Sequence, residues 1–328
     1  MEGGIVTLGR TDIIIPSLAL GTWAMGGGES WGESDSEHSI QTIHRALELG
    51  LTFIDTAPAY GNGVSEALLA KALKGRRSEA VIATKCGLVW GPDDEGAVHK
   101  SRDGVVVRRN LSKRSIIAQV EGSLRRLKTD HIDLLLTHWQ AIAPYQTPIE
   151  ETVEAFERLK REGKIRAWGA CNLTLEEAKE YQRCGTLSLI QERFSLLNRT
   201  HAPLAQWAEE EGIIFQAYSP LERGVLTGLG ALSKEIVGTA KASVEWYKSE
   251  KRETVMRLLT ELEAIAASYH CSLSNLVIAW TAGYSKTMNV LFGSRTVEHL
   301  EENAKARDVT ITEEDWKRID EAASRALL

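Results

Sequence analysis

Three ionisable side chains stand at the ends of short apolar runs. Asp55 follows Phe53-Ile54, Lys85 follows Val81-Ile82-Ala83, and His138 follows Leu134-Leu135-Leu136. Such runs read as buried strands, and a charge at the end of a buried strand is costly unless it is paired. If Asp55 and Lys85 lie on adjacent strands, they can pair. Tyr60 follows Asp55 by five residues. A lysine ammonium beside it would favour tyrosinate and lower its pKa, so the phenol could serve as a general acid/base near neutral pH. Singly, these residues have plainer readings. Asp55 could cap a helix, Tyr60 beside Gly61 could pack into a loop, and His138 could be a satisfied core histidine. A buried lysine has few structural explanations. The ordered combination is what points to proton-transfer chemistry.

Holding such groups requires strands, and the chain supplies eight candidates: 17–20, 52–55, 80–84, 131–136, 165–169, 187–191, 212–217 and 288–292. Continuous apolar runs of this kind suit parallel strands buried on both faces. Helical patterns lie between them. Residues 36–48 carry Ile40, Ile43 and Leu47 on one face, and 112–127 carry Ile116, Val120, Leu124 and Leu127. Residues 147–161 open on Thr147-Pro148, and 174–183 open on Thr174-Leu175-Glu176-Glu177, a capping-box pattern. Strand–helix alternation marks a parallel α/β sheet, and eight units predict a closed (β/α)8 TIM barrel, one domain over residues 1–328. Residues 5–8 and 12–15 flank Gly9-Arg10-Thr11 and read as a β-hairpin that plugs the barrel bottom. Long loops are expected after the third strand, at 86–110, with turn signals at Gly91-Pro92-Asp93-Asp94 and Arg102-Asp103-Gly104. Another is expected after the seventh, at 219–248, leading into a helix at 250–269. In such a barrel the active site lies at the C-terminal strand ends.

Composition narrows the partners. The net charge is −6, with no run of Lys/Arg, which argues against nucleic acid or an anionic membrane. No stretch approaches ~18 apolar residues, and Met1-Glu2-Gly3-Gly4 lacks a signal-peptide pattern. Cys86, Cys171, Cys184 and Cys271 are scattered, so a reducing cytoplasm is the expected location. The strand ends offer one His and one Asp, too few ligands for zinc, so no metal is expected.

The segments Leu20-Gly21-Thr22-Trp23, Ile54-Asp55-Thr56-Ala57-Pro58-Ala59-Tyr60-Gly61, Ala83-Thr84-Lys85 and Ile132-Asp133-Leu134-Leu135-Leu136-Thr137-His138-Trp139 resemble the aldo-keto reductase superfamily. The resemblance runs from Leu8 to about Asn303 and is nearest to the bacterial branch with Asp-Thr-Ala-x-x-Tyr-Gly. It implies interconversion of aldehydes or ketones, including sugars or polyols, with alcohols, using NADP(H) in preference to NAD(H). Tyr60 would be the proton donor, Lys85 and Asp55 would hold and tune it, and His138 would bind the substrate carbonyl oxygen. Gly21, Thr22 and Trp23 would border the cofactor, and Asn172 and Gln191 would hold its carboxamide. Cys171 replaces the family's serine there. Tyr218 would stack on the nicotinamide, and Ser219, Pro220, Leu221, Arg223 and Gly224 would cover the pyrophosphate. Gly293, Ser294, Arg295, His299, Glu302 and Asn303 would grip the adenosine, with Arg295 suited to a 2′-phosphate. Trp23, Trp90 and Trp139 would line the substrate pocket. Two rival readings share the fold: a cofactor-binding regulatory subunit, and an isomerase or lyase with tightly bound nicotinamide.

Overall fold

The computed structural model describes residues 4–91, 94–102, 104–233, 236 and 238–327. The N-terminal hairpin pairs β1 (Ile5–Thr7) with β2 (Ile14–Pro16). The barrel strands are β3 (Leu18–Gly21), β4 (Phe53–Asp55), β5 (Val81–Cys86), β9 (Ile132–Thr137), β10 (Ile165–Cys171), β11 (Leu189–Arg193), β12 (Ile214–Tyr218) and β13 (Met288–Gly293). They pair in parallel and in chain order, and β13 closes the ring on β3. The eight sequence candidates thus find their strands, with ends displaced by a few residues.

Around the ring run α1 (Ser36–Glu48), α2 (Val64–Ala72), α3 (Lys113–Leu127), α4 (Ile149–Arg161), α5 (Leu175–Cys184), α6 (Ala202–Glu211), the short α7 (Thr239–Ala242), α8 (Arg252–Ser268), α9 (Leu273–Ala282), α10 (Val297–Ala304) and α11 (Glu313–Leu327). The capping box at Thr174 and Glu177 forms as expected and starts α5.

Segment 86–110 differs from the expected loop. It carries a three-stranded antiparallel sheet in the order β6 (Leu88–Val89), β8 (Val105–Arg109), β7 (Ala97–Arg102). Its valines alternate in and out (Val107 is buried, Val106 exposed), so the segment closes a small sheet with one dry face. The turn signals at Pro92, Asp93 and Asp103, like Met1 to Gly3, lie outside the described residues.

Side chains alternate along each strand, and this layers the barrel interior. Ala19, Phe53, Ala83, Leu134, Ala167, Leu189 and Ile214 form an apolar floor with Leu8, Ile13 and Ile15 of the hairpin region, all buried. The hairpin therefore does plug the bottom. Two residues further along the same strands stand Gly21, Asp55, Lys85, Leu136, Gly169, Gln191 and Gln216. One strand pitch above the floor, the barrel turns polar.

Candidate active site

The polar layer is a connected hydrogen-bond network. Lys85 Nζ donates to both oxygens of Asp55, at 2.7 and 2.6 Å, to Thr56 O at 3.0 Å, and to the Tyr60 hydroxyl at 2.9 Å. Lys85 and Asp55 are each 1% exposed, so the pair is desolvated and satisfied together, the condition a buried ion pair needs. Gln191 Nε2 donates to Asp55 Oδ2 at 2.8 Å and to Gln216 Oε1 at 2.6 Å. Gln216 Nε2 donates to Asn289 Oδ1 at 2.6 Å, and Asn289 Nδ2 to Pro16 O at 2.8 Å. Tyr60 reaches this network because the chain after β4 turns back sharply. Gly61 has φ +62°, and a Cβ there would stand 2.2 Å from Gly26 O, so the turn requires glycine.

Charge and burial oppose each other at Tyr60. Burial pushes the phenol up, the Lys85 ammonium pulls it down, and the Asp55 carboxylate pushes it up again; the net shift is upward. This corrects the expectation of a lowered pKa: desolvation of the phenolate is the largest influence and decides the sign, and the carboxylate opposes the lysine charge. Burial pulls Lys85 down, but Asp55 and Tyr60 outweigh it and hold the ammonium above its ordinary value. Both groups are therefore protonated at neutral pH. The His138 ring meets the Tyr60 ring edge-on at 5.7 Å and 84°, and Trp23 lies 6.2 Å from Tyr60.

A cavity of about 550 Å³ opens above this layer. Its wall includes Asp55, Tyr60 and His138, the three tryptophans 23, 90 and 139, and every expected cofactor residue except two. Lys85 stands behind Tyr60. The exceptions are Thr22 and Cys171. Thr22 Oγ1 turns away and donates to Asp55 O at 2.8 Å. Cys171 sits fully buried in the barrel interior, and its Sγ donates to Gln191 Oε1 at 3.4 Å. Burial raises the Cys171 thiol well above its ordinary range, so it stays protonated and packs against Gln191, which does line the wall.

Sequence reading missed His99, Lys100, Val107, Lys241 and Tyr247 on that wall. They come from the β6–β8 sheet and from the loop after β12, where no periodic pattern marks a facing side.

The family model of the aldo/keto reductase family matches residues 17–324. The chain belongs to that family. An NADH-specific methylglyoxal reductase of Escherichia coli is 38% identical over 97% of this chain and 98% of its own. The structure of a glycerol dehydrogenase from Gluconobacter oxydans superposes with a TM-score of 0.88 at 30% identity, covering 100% of this chain and 97% of that one. An aldo-keto reductase from Klebsiella pneumoniae, solved with NADPH, superposes at 0.74 with 25% identity, covering 98% and 95%.

An aldo/keto reductase uses a nicotinamide cofactor, and the donor set here fits one. Asn172 has φ +54°; its Nδ2 donates to His138 O at 2.7 Å and its Oδ1 accepts from Tyr218 at 2.8 Å. That leaves one N–H and one lone pair for a carboxamide. Behind it, buried Glu192 accepts from Leu173 N at 2.6 Å and holds the turn. Glu222, Arg223 and Gly224, all at positive φ, form a tight loop after β12 that carries Arg223 and Gly224 to the cavity wall. The buried Glu222 carboxylate pins it to Arg193 and, at 2.5 Å, to Ser195. Among the described residues, no helix is long and apolar enough to cross a membrane.

Proposed function

We propose that this aldo/keto reductase reduces small aldehydes to alcohols, with Tyr60 as the proton donor. The observation that carries this reading is the Tyr60 hydroxyl hydrogen-bonded to a buried, carboxylate-paired lysine at 2.9 Å. A reduced nicotinamide, when bound, supplies the hydride. The chain does the rest. Tyr60 is protonated at neutral pH, the form needed to deliver a proton to a developing alkoxide. Lys85 stays cationic and stabilises the tyrosinate as the proton leaves. Asp55 keeps Lys85 charged and fixed. His138, edge-on to Tyr60, is placed to hydrogen-bond the carbonyl oxygen. The tryptophans on the wall of a cavity of about 550 Å³ suit small substrates. The relatives named for methylglyoxal and glycerol support short, oxygenated ones.

Either cofactor is accepted in this reading. Ser294 and Arg295 favour a 2′-phosphate. However, Arg295 Nη1 already donates to Trp31 O and Glu33 O, at 3.2 Å each, and Glu302 puts a carboxylate on the same wall. The margin for NADPH is therefore narrow. A complete Asp55, Tyr60, Lys85 and His138 set favours catalysis over a regulatory role.

The test is reduction of methylglyoxal and glyceraldehyde with NADPH and with NADH, by the wild type and Tyr60→Phe. Tyr60→Phe should lower kcat by on the order of 10²–10⁴, while quenching of tryptophan fluorescence shows that cofactor still binds. Near-normal turnover would remove Tyr60 from its role, and failure of the wild type to bind either cofactor would sink the reading.

A further inference from the structure

The β6–β8 sheet brings two polar groups to the cavity that the chemistry above does not use, His99 and Lys100. His99, on β7, is half-buried on the cavity wall. Arg109, on β8, donates from Nε to His99 Nδ1 at 3.1 Å. A ring nitrogen that accepts carries no proton, so the imidazole's proton is on Nε2. Arg109 is itself fixed. Its Nη1 donates to Gln140 O at 3.1 Å, and its guanidinium lies 4.8 Å from the Trp139 ring. The His99 ring packs on that same indole at 5.0 Å, and Trp139 directly follows His138 in the chain. His99, Arg109 and Trp139 thus form one block beside the residue that meets the carbonyl oxygen.

Burial, helped by the Arg109 and Lys100 charges, lowers the imidazole pKa to about 4. The ring stays neutral and keeps one tautomer across the physiological range. Among the described residues, Nε2 has no hydrogen-bond partner, and the nearby sheet wall is apolar, built from Ala59, Leu88 and Val107 with Trp90 packed against them. An oriented N–H beside such a wall discriminates. A substrate that brings an acceptor satisfies it, and one that brings only methyl groups strips its water and leaves it unpaired.

We propose that His99 is a specificity-determining residue whose Nε2–H donates to a second oxygen of the substrate, so that the enzyme prefers oxo- and hydroxyaldehydes to plain alkanals. This rests on the carbonyl-reductase reading of the same site. The test compares kcat/KM for methylglyoxal, glyceraldehyde and propanal in wild type, His99→Phe and His99→Gln. His99→Phe keeps a ring on Trp139 and removes the donor. The ratio of methylglyoxal or glyceraldehyde to propanal should fall about five- to tenfold, the scale of one neutral hydrogen bond. His99→Gln retains an N–H and should recover part of that ratio, which a packing role would not explain. Equal losses on all three substrates, or an unchanged ratio in His99→Phe, would overturn the assignment. If the wild type reduces no carbonyl with either cofactor, the underlying reading falls and this inference with it. That outcome is distinct from active enzyme with an unmoved ratio.

Discussion

At Tyr60, one residue weighs desolvation against charge, and the sign of the result sets whether the phenol holds its proton at neutral pH. Because the phenol's pKa is raised, its proton is present throughout neutral pH and is lost only above the ordinary tyrosine value of about 10. The phenol therefore rests in the protonated form that the proposed donor role requires. The difference in tyrosinate absorbance between the wild type and Tyr60→Phe should stay near zero from pH 6 to about 9. A signal rising between pH 7 and 8 would mean that the Lys85 charge wins. The Asp55–Lys85 pair was legible in the sequence because two consecutive apolar runs each end in a charge, and consecutive strands of a closed barrel are neighbours. The balance at Tyr60 was not legible, because it depends on how dry the pocket is. His99 was equally out of reach: its partner Arg109 lies ten residues away across a pairing that local pattern does not reveal.

Among the elements, the segment after β12 lends Thr227, Ala231, Ile236, Lys241 and Tyr247 to the cavity wall. Its described residues dock on the loop after β3. Thr239 N donates to Glu29 O at 3.0 Å, and Ala240 N to Ser30 O at 3.1 Å. Arg223 ties the strap down through Ala240 O and, at 2.7 Å, Ser243 Oγ, with its guanidinium 5.2 Å from the Trp23 ring. Gly238 makes the docking possible: its φ is +82°, and a Cβ would stand 2.3 Å from Ser30 O. Gly238→Ala should weaken this contact by about 1 kcal/mol or more, and so speed cofactor release about fivefold. Stopped-flow displacement of NADPH would measure it, and an unchanged release rate would mean that the strap does not gate exchange. The strap's length and lack of periodicity were visible in the sequence, but its docking partner was not. The β6–β8 sheet was missed because short strands with one dry face give few apolar positions to count. Helix α9 escaped for the opposite reason. Leu273, Leu276, Val277, Ile278 and Trp280 are all buried, so no polar stripe marks its outer face.

Over the whole molecule, the alternation of an apolar floor and a polar layer separates stability from chemistry. The hairpin supplies the floor's lower seal. Leu8→Ala, at a fully buried position, should cost about 2–5 kcal/mol of stability and leave kcat/KM within about twofold. Denaturant melts and steady-state rates on the same preparation would check this, and a large loss of activity in folded protein would show that the seal also shapes the site. Barrel closure was legible from eight strand–helix units. The layering followed once closure was granted, because successive inner positions on each strand are two residues apart.

The side-chain amides that run from Gln191 through Gln216 and Asn289 to the Pro16 carbonyl cross the barrel from the Asp55 carboxylate to the plug. Gln216 and Asn289 are fully buried, and each carries N–H protons engaged inside the barrel. Such protons trade with deuterium only when the surrounding structure opens. They should therefore be among the last in the protein to exchange, in step with the slowest backbone amides of β12 and β13. These residues would then act as a clock set into the core, timing how rarely the ring of strands comes apart.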